Sequence, residues 1–462
     1  MRHWIEQSDG APEMKIWTDK DYPIIISCAK GLSQWTESEV RALGYRPVET
    51  TPTRVVVRGA MRDVFRLNLN LRTAHRVLVP LLRAGCRNIR RLYDLAYSID
   101  WENLLDPDGY VSVHSVVHNA TVRDTRMPSL TTKDAIADRM VDRCGRRPDS
   151  GPDMSGASVF VYWEDDTALI YIDTTGEVLS RRGYRKIPGS APMQETLAAA
   201  CIMAMRWDPS TPFIAPMCGS GTPAIEAAMM ASGRAPGSFK SHFGFMSVKG
   251  YDRVIPGETL REGEEGRNFG ESPERIWKEM RAEAARKEKR EGLPRIIATD
   301  ISPEAVENAH TNAVAAGVAD MIEFRACDFA ETEIPETRAG AIFFNPEYGI
   351  RLGRHEDLIG LYERIGDFMK NSCPYYTGAV LTGSADLSHR VGLRTSARVP
   401  FYNGPIECRL LIYPLYPAPR ETEADGGCAA LAGISGEDGG TAREEPEGAE
   451  KSRTRPRAGG MD

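Results

Sequence analysis

From residue 211 to residue 383 short apolar runs alternate with amphipathic segments in a fixed order: TPFIAP then TPAIEAAMMAS, RIIATD then SPEAVENAHTNAVAAG, and then MIEFRACD, AGAIFFN, LIGLYERIGDFMK and GAVLTG. Strand, turn, helix and strand repeated in this way need crossover connections between parallel neighbours, which points to a doubly wound parallel α/β sheet. FYNGPIECRLLIYPLY closes the run, and Asn403-Gly404 is a two-residue hairpin signal, so an antiparallel pair should finish the sheet. The alternation is interrupted from about 237 to 294. Within that stretch Glu274 with Lys278 and Glu283 with Lys287 stand at i, i+4 spacing, which predicts an exposed charged helix. The stretch reads as an insertion over the sheet's edge.

Upstream the pattern differs. YPIIISC, RVVVRG, VSVHSVV, SVFVYWED and TALIYIDT have strand character, while TESEVRALG, KDAIADRMVDRCG and a long segment around MRDVFRLNLNLRTAHRVLVPLL read as helices. Interleaved elements in so small a span predict an α+β domain over 21–187, before Pro188, Gly189 and Pro192 punctuate the chain. The expected organisation is a flexible N-terminus (1–20), this module, an α/β domain (188–418) and a disordered tail (419–462). The tail carries ten acids against six bases and almost no large apolar residue.

Composition bounds the function. The chain has 462 residues, 41% hydrophobic and 27% charged, enough for two or three domains. Its nine cysteines are scattered and never in C-x-x-C spacing, which supports neither a disulfide framework nor a zinc site, and no metal is expected. No apolar run approaches the ~20 residues of a membrane span, and the first twenty residues are too charged for a signal peptide. The expectation is a cytoplasmic monomer with no membrane partner. The net charge of -7 conceals ten arginines between Arg54 and Arg91 against one acid, Asp63. Such a face is either a solvated surface or a site for a polyanion.

Four strand ends carry the chemistry. Cys218, Gly219, Ser220 and Gly221 join a strand to a helix, where glycines let a ligand approach backbone N–H groups; a plain tight turn would use glycine too. Asp300 ends RIIATD, where a carboxylate can accept both hydroxyls of a ribose, and Asp328 ends RACD, placed for an adenine edge. Either acid alone could be a helix cap. FFNPEYG then sets Asn345, Pro346, Glu347 and Tyr348 at one strand tip, which alone would also suit a type I turn.

MCGSGTPAIEAA, TDISPEAVENAHTNAVAAGV, FFNPEYGIRLG and FYNGPIECRLLIYPL resemble the S-adenosylmethionine-dependent class I RNA methyltransferases that carry an N-terminal THUMP domain, most closely the bacterial large-subunit rRNA guanine-N2 methyltransferases. NLNLRTAHRVLVPLL, TTKDAIADRM, DTTGEVLSRRGYRK and QETLAAA extend the likeness over roughly 22–417. The resemblance implies a ferredoxin-like and THUMP RNA-binding module followed by a Rossmann-like methyltransferase domain. It implies that S-adenosyl-L-methionine is held by Pro216, Cys218, Gly219, Ser220, Gly221, Thr222, Asp300, Ile301, Asp328, Phe329 and Asn345. Asn345, Pro346, Glu347 and Tyr348 are the implied catalytic group, and large-subunit rRNA or a pre-ribosomal particle is the implied partner. Arg83, Arg87, Arg90, Arg91, Arg182, Arg185 and Lys186 are the expected RNA contacts.

The strand tip then has a chemical reading. An exocyclic base amine is a poor nucleophile because its lone pair is delocalised into the ring, and acceptors from Asn345 and the Pro346 carbonyl can localise it, with Tyr348 stacking on an extruded base. An adenine-N6 enzyme can share this tip, and a silent RNA-binding assembly protein is the third reading. The chain departs from the family twice: Ala215 stands where a carboxylate precedes the proline of the turn, and Glu347 where a second proline is usual. Glu347 either points inward, pairing with guanine's two adjacent donors, or turns to solvent.

Overall fold

Two sheets, each built from one of the two sequence patterns, organise the chain. The computed structural model describes residues 16–18, 20–119, 122, 124–188, 193–253, 272–347 and 355–417, all within one unit, Met1–Ala418. The expected flexible N-terminus to residue 15 and the expected tail from 419 lie outside the described residues.

The first sheet has eight strands: β1 (Tyr22–Cys28), β2 (Glu49–Thr51), β3 (Arg54–Gly59), β4 (Ala74–Gly85), β5 (Tyr110–His118), β6 (Asp149–Ser150), β7 (Ala157–Glu164) and β8 (Thr167–Asp173), in the order β2-β3-β1-β4-β8-β7-β5-β6. Four helices, α1 (Ser33–Ala42), α2 (Met61–Asn70), α3 (Ile89–Tyr97) and α4 (Met127–Cys144), contribute Val40, Phe65, Leu92 and Ile136 to a single core with Ile24, Val77, Val159 and Ile170 of the strands. Because side chains alternate across a strand, the other face carries Ile25, Val56, Leu78 and Tyr171, with Phe160, Tyr162 and Leu169 packed around them. No described helix contributes to that second cluster.

The long helix expected through MRDVFRLNLNLRTAHRVLVPLL is not one element. It stops at Asn70, Leu71 turns extended, and Ala74–Gly85 becomes β4, antiparallel to both β1 and β8. Val77 and Val79 suit a strand flanked on both sides, and Pro80 would break a helix interior. Pro80 is tolerated in the sheet at a register shift between Pro80 and Leu82.

The second sheet comprises β9 (Phe213–Pro216), β10 (Ile296–Asp300), β11 (Ile322–Ala326), β12 (Gly340–Phe344), β13 (Tyr376–Thr382), β14 (Ala397–Asn403) and β15 (Ile406–Pro414), in the order β11-β10-β9-β12-β13-β15-β14. The first five pair in parallel and β15 runs antiparallel to β13, as the alternation predicts. Helices α5 (Glu195–Ala204), α6 (Thr222–Ala231) and α8 (Pro303–Ala315) bury Ala200, Ala227 and Ala313 against one face; α9 (His355–Ser372) and α10 (Ala385–Arg390) bury Ile365 and Leu387 against the other. The closing hairpin turns one residue later than the Asn403-Gly404 signal: Asn403 pairs with Ile406, leaving Gly404, at φ +61°, and Pro405 as the loop.

The described part of the insertion, 237–253 and 272–294, is also relocated. Its charged helix exists as α7 (Pro273–Lys287), with the Glu274–Lys278 and Glu283–Lys287 pairs formed. It does not cover the edge of the second sheet. Phe243, Phe245 and Trp277 join the core of the first, with the Phe65 ring 4.6 Å from Phe245 and 5.8 Å from Trp277. The charge pattern maps the wet side of α7, whereas its buried Ile276 and Trp277 decide what it packs against. No described helix is long and apolar enough to cross a membrane.

Candidate active site

The carboxyl ends of β9, β10, β11 and β12 stand side by side, which is where an open α/β sheet leaves a crevice. After β9 the chain turns sharply through Met217 (φ 58°), Gly219 (φ 52°) and Gly221 (φ 83°) before α6 begins at Thr222. A Cβ on Gly221 would lie 2.9 Å from the Ala309 Cβ, so α8 leaves room for glycine alone, whereas a Cβ on Gly219 would meet nothing within 4 Å. The turn is therefore tight on one side and open on the other. Met217 holds a left-handed conformation without being glycine, a local strain of about 1–3 kcal/mol that tends to collect at functional turns. The sequence carries no sign of it, since no residue type marks such a position.

Asp300 ends β10 and fastens this turn. Its Oδ2 accepts from the Gly219 N–H at 2.9 Å and its Oδ1 from the Ser302 N–H at 3.0 Å. A carboxylate offers about four lone-pair sites, so two remain for further donors. Ile301 beside it is 74% exposed, an apolar surface adjoining an acid. Cys218, Ser220 and Thr222 are buried, and Pro216 is buried at the end of β9. Burial, with Asp300 nearby, pushes the Cys218 thiol up to about 12, so it is no thiolate nucleophile. Ala215 is 1% exposed and brings only a methyl group.

Asp328 lies beyond β11. Its Oδ1 accepts from the Ala330 N–H at 2.9 Å and from Arg364 at 2.7 Å, and Arg364 holds its carboxyl below the usual range. The other oxygen accepts from no described residue. Phe329 is 5% exposed and packs edge-on against Phe344 and Phe368, with the Arg364 guanidinium 4.8 Å over its ring. Its ring belongs to the core and leaves only backbone for a ligand. Arg364 is a partner the sequence does not announce, because nothing local to α9 ties it to Asp328, 36 residues away.

At the tip of β12, the Asn345 Oδ1 is buried and no described residue donates to it. β12 pairs directly with β9, placing this orphaned acceptor one strand from the glycine turn. Pro346 is buried and Glu347 exposed. Glu347 is one of the residues lining an open hollow with Asp357, Glu363, Arg364 and Asp367. Tyr348 lies outside the described residues.

The expected RNA contacts separate. Arg87, Arg90 and Arg91 are exposed where β4 leads into α3. Arg87 lies 3.3 Å from Asp166 and Arg90 3.4 Å from Asp94, solvent-exposed pairs that a phosphate can displace at little cost. Arg83 is half-buried in β4, and Lys186 is exposed. Arg182 is corrected: its side chain is 1% exposed and pairs at 3.3 Å with Glu226, itself 0% exposed, so it reaches no phosphate. Arg185 is mostly buried, donating to the Thr222 Oγ1 at 3.0 Å and pairing with Glu195. Arg72 and Arg76 are likewise structural, bonded to the Arg234 carbonyl at 2.7 Å and the Gly176 carbonyl at 2.7 Å.

Whether the crevice suits an adenosyl cofactor is decided by the donor set. An open glycine turn at a helix start, an acid with spare acceptors beside an exposed isoleucine, and a second acid with one free oxygen fit the ribose and base of such a group. Comparison with known proteins gives the same result. A family profile for RMKL-like methyltransferase domains matches residues 182–412, one for the RlmL ferredoxin-like domain 23–78, and one for THUMP domains 86–173. The ribosomal RNA large subunit methyltransferase K/L of Methylococcus capsulatus is 33% identical over 392 residues, 84% of this chain and 50% of that protein, so the chain spans about half the length of this curated relative. Among solved structures, SMU.472 complexed with SAH (S-adenosylhomocysteine) superposes with a TM-score of 0.73 at 26% identity, covering 87% of this chain and 100% of that one. A predicted N6-adenine-specific DNA methylase from Listeria monocytogenes gives 0.71 at 29%, covering 85% and 96%.

Proposed function

Since this chain belongs to the RMKL-like methyltransferase family, we propose that it transfers a methyl group from S-adenosylmethionine to the exocyclic N2 amine of a guanine in large-subunit ribosomal RNA. The observation that carries this reading is the buried, undonated Asn345 Oδ1 beside Pro346 at the tip of β12. An acceptor already stripped of water and lacking a partner favours a ligand that brings an N–H, and a base amine brings two. The cofactor supplies an electrophilic methyl on a sulfonium. Asn345 and the Pro346 carbonyl orient the amine and draw its protons, which restores nucleophilic character to the nitrogen, and no covalent enzyme intermediate is needed. Asp300 would hold the ribose hydroxyls, Gly219 would leave the open side of the turn to the cofactor while Gly221 lets α8 pack against the other, and Asp328 would hold the adenine amine.

An adenine-N6 reading stands second, because the Listeria neighbour is named for that activity. The THUMP match favours RNA as the partner, with Arg87, Arg90, Arg91 and Lys186 facing phosphates. Label from S-adenosylmethionine should enter undermodified ribosomal RNA and not DNA; label in DNA, or in neither, removes the proposal.

Asp300→Ala should weaken S-adenosylhomocysteine binding by ~1.5–3 kcal/mol, through loss of the charge-assisted bonds to the ribose and through release of the Gly219 N–H. Calorimetry showing wild-type affinity would take Asp300 out of the site. Replacing Arg87, Arg90 and Arg91 together with alanine should flatten the log–log dependence of RNA affinity on salt, by about 1 in slope for each phosphate no longer neutralised. An unchanged slope would return these arginines to the role of solvated surface.

A further inference from the structure

We propose that Asn312 is a positioning residue that fastens the glycine turn to the chain segment joining the two sheets, so that cofactor affinity depends on how that segment is held; the inference rests on the methyltransferase reading. Asn312 lies on α8 and is 0% exposed. Its Oδ1 accepts from the Lys186 N–H at 2.8 Å and the Ile187 N–H at 3.1 Å, and its Nδ2 donates to the Ile187 carbonyl at 3.0 Å and the Ser220 carbonyl at 3.0 Å. A side-chain amide has two acceptor sites and two N–H groups, and here all four are used. Flipping the amide would face two N–H groups with N–H and two carbonyls with C=O, so the network itself fixes its orientation.

Three points of the turn are thereby tied down. The Ser220–Gly221 peptide is held from both sides, by Asn312 on its carbonyl and by the Cys218 carbonyl, which accepts the Gly221 N–H at 2.9 Å. Gly219 is held by Asp300, and Thr222 by Arg185, the residue preceding Lys186. Upstream in the same segment, Arg182 and Tyr184 bond Glu226, one helical turn further along α6. The segment that leaves the first sheet thus runs along the start of α6, contacting it at 222 and 226 and reaching Ser220 through Asn312. With its carbonyl and its N–H both bonded, the Ser220–Gly221 peptide is fixed in plane, and that fixes the path of the turn a ligand approaches.

The test uses the full chain with three variants, Asn312→Ala, Asn312→Asp and Arg185→Met, each measured for S-adenosylhomocysteine affinity by calorimetry, for thermal unfolding, and for KM and kcat with S-adenosylmethionine. Asp keeps an acceptor for Lys186 and Ile187 but turns a second acceptor on the Ser220 carbonyl. Both Asn312 variants should therefore lose tenfold or more in affinity, and Arg185→Met several-fold. The effect should fall on KM more than on kcat. A folded Asn312→Ala with wild-type affinity overturns the inference, leaving Asn312 a packing residue. Where the Asn312 variants do not fold, Arg185→Met decides by the same comparison: reduced affinity supports the inference and unchanged affinity overturns it. A wild-type chain that binds no S-adenosylhomocysteine instead fails the reading on which the inference rests, a result distinct from a binding wild type with unaltered variants.

Discussion

Asn345→Ala should lower the rate of methyl transfer by about 10²- to 10³-fold while leaving S-adenosylhomocysteine affinity within a few-fold of wild type, the usual cost of removing one preorganised hydrogen-bonding group from a water-excluded site. The expectation follows from a single atom. The Asn345 Oδ1 is already desolvated and has no described donor, so the free protein carries the cost of burying it and regains that cost when a ligand brings an N–H. Alanine removes the acceptor without disturbing β12, whose pairing with β9 and β13 ends before residue 345. Single-turnover kinetics with saturating cofactor isolate the step. A rate within threefold of wild type would mean that the Pro346 carbonyl acts alone.

Arg182→Met should destabilise the protein by about 3–5 kcal/mol in urea unfolding, because it leaves Glu226 as a charge at 0% exposure with the Tyr184 hydroxyl bonded at 3.1 Å and the Arg72 guanidinium acting on it without a hydrogen bond. Arg182 also donates to the carbonyls of Leu179 and Arg72, so the loss includes orphaned acceptors. Adding Glu226→Met should recover a large part of the stability, since a buried ion pair replaced on both sides is far less costly than one broken on a single side. RNA affinity of the double variant should match wild type. A single variant as stable as wild type would show that water reaches Glu226, and a fall in RNA affinity would restore Arg182 to the RNA-facing surface.

The second sheet is legible in the sequence because its signal is redundant. Each of its first five strands is a short apolar run bounded by a turn, and the period changes at every boundary, so no single misread residue alters the topology. The first sheet is less so. RVLVPLL has no period that separates a strand paired on both edges from a buried helix, so β4 reads as helix until its pairing with β1 and β8 decides it. The insertion shows the same limit: Glu274–Lys278 and Glu283–Lys287 reveal α7, yet nothing in its charges shows that Trp277 packs on Phe65.

At the site, Gly221 and Asp300 are singled out by residue type at a strand end, and the fold brings them to one turn, where Asp300 accepts from the Gly219 N–H. Arg182 is misread because an arginine in a basic stretch looks the same whether it faces water or a carboxylate 44 residues away. The partners of Asn312 are 92, 125 and 126 residues distant, and a polar residue on an alanine-rich helix carries no mark of them. Glu347 has two orientations open to it in the sequence, and in the fold it is exposed beside the half-buried Asn345 and the buried Pro346.

If the tip of β12 presents its acceptors to a guanine amine, the methylated atom must be the N2 of guanine. Incubating the protein with S-adenosylmethionine and undermodified ribosomal RNA, digesting the RNA to nucleosides and identifying the methylated product by mass spectrometry reads that atom out. The expected product is N2-methylguanosine, absent when Asn345→Ala replaces the wild type. N6-methyladenosine as the product, or no methylated nucleoside from a protein that binds both cofactor and RNA, would contradict the assignment.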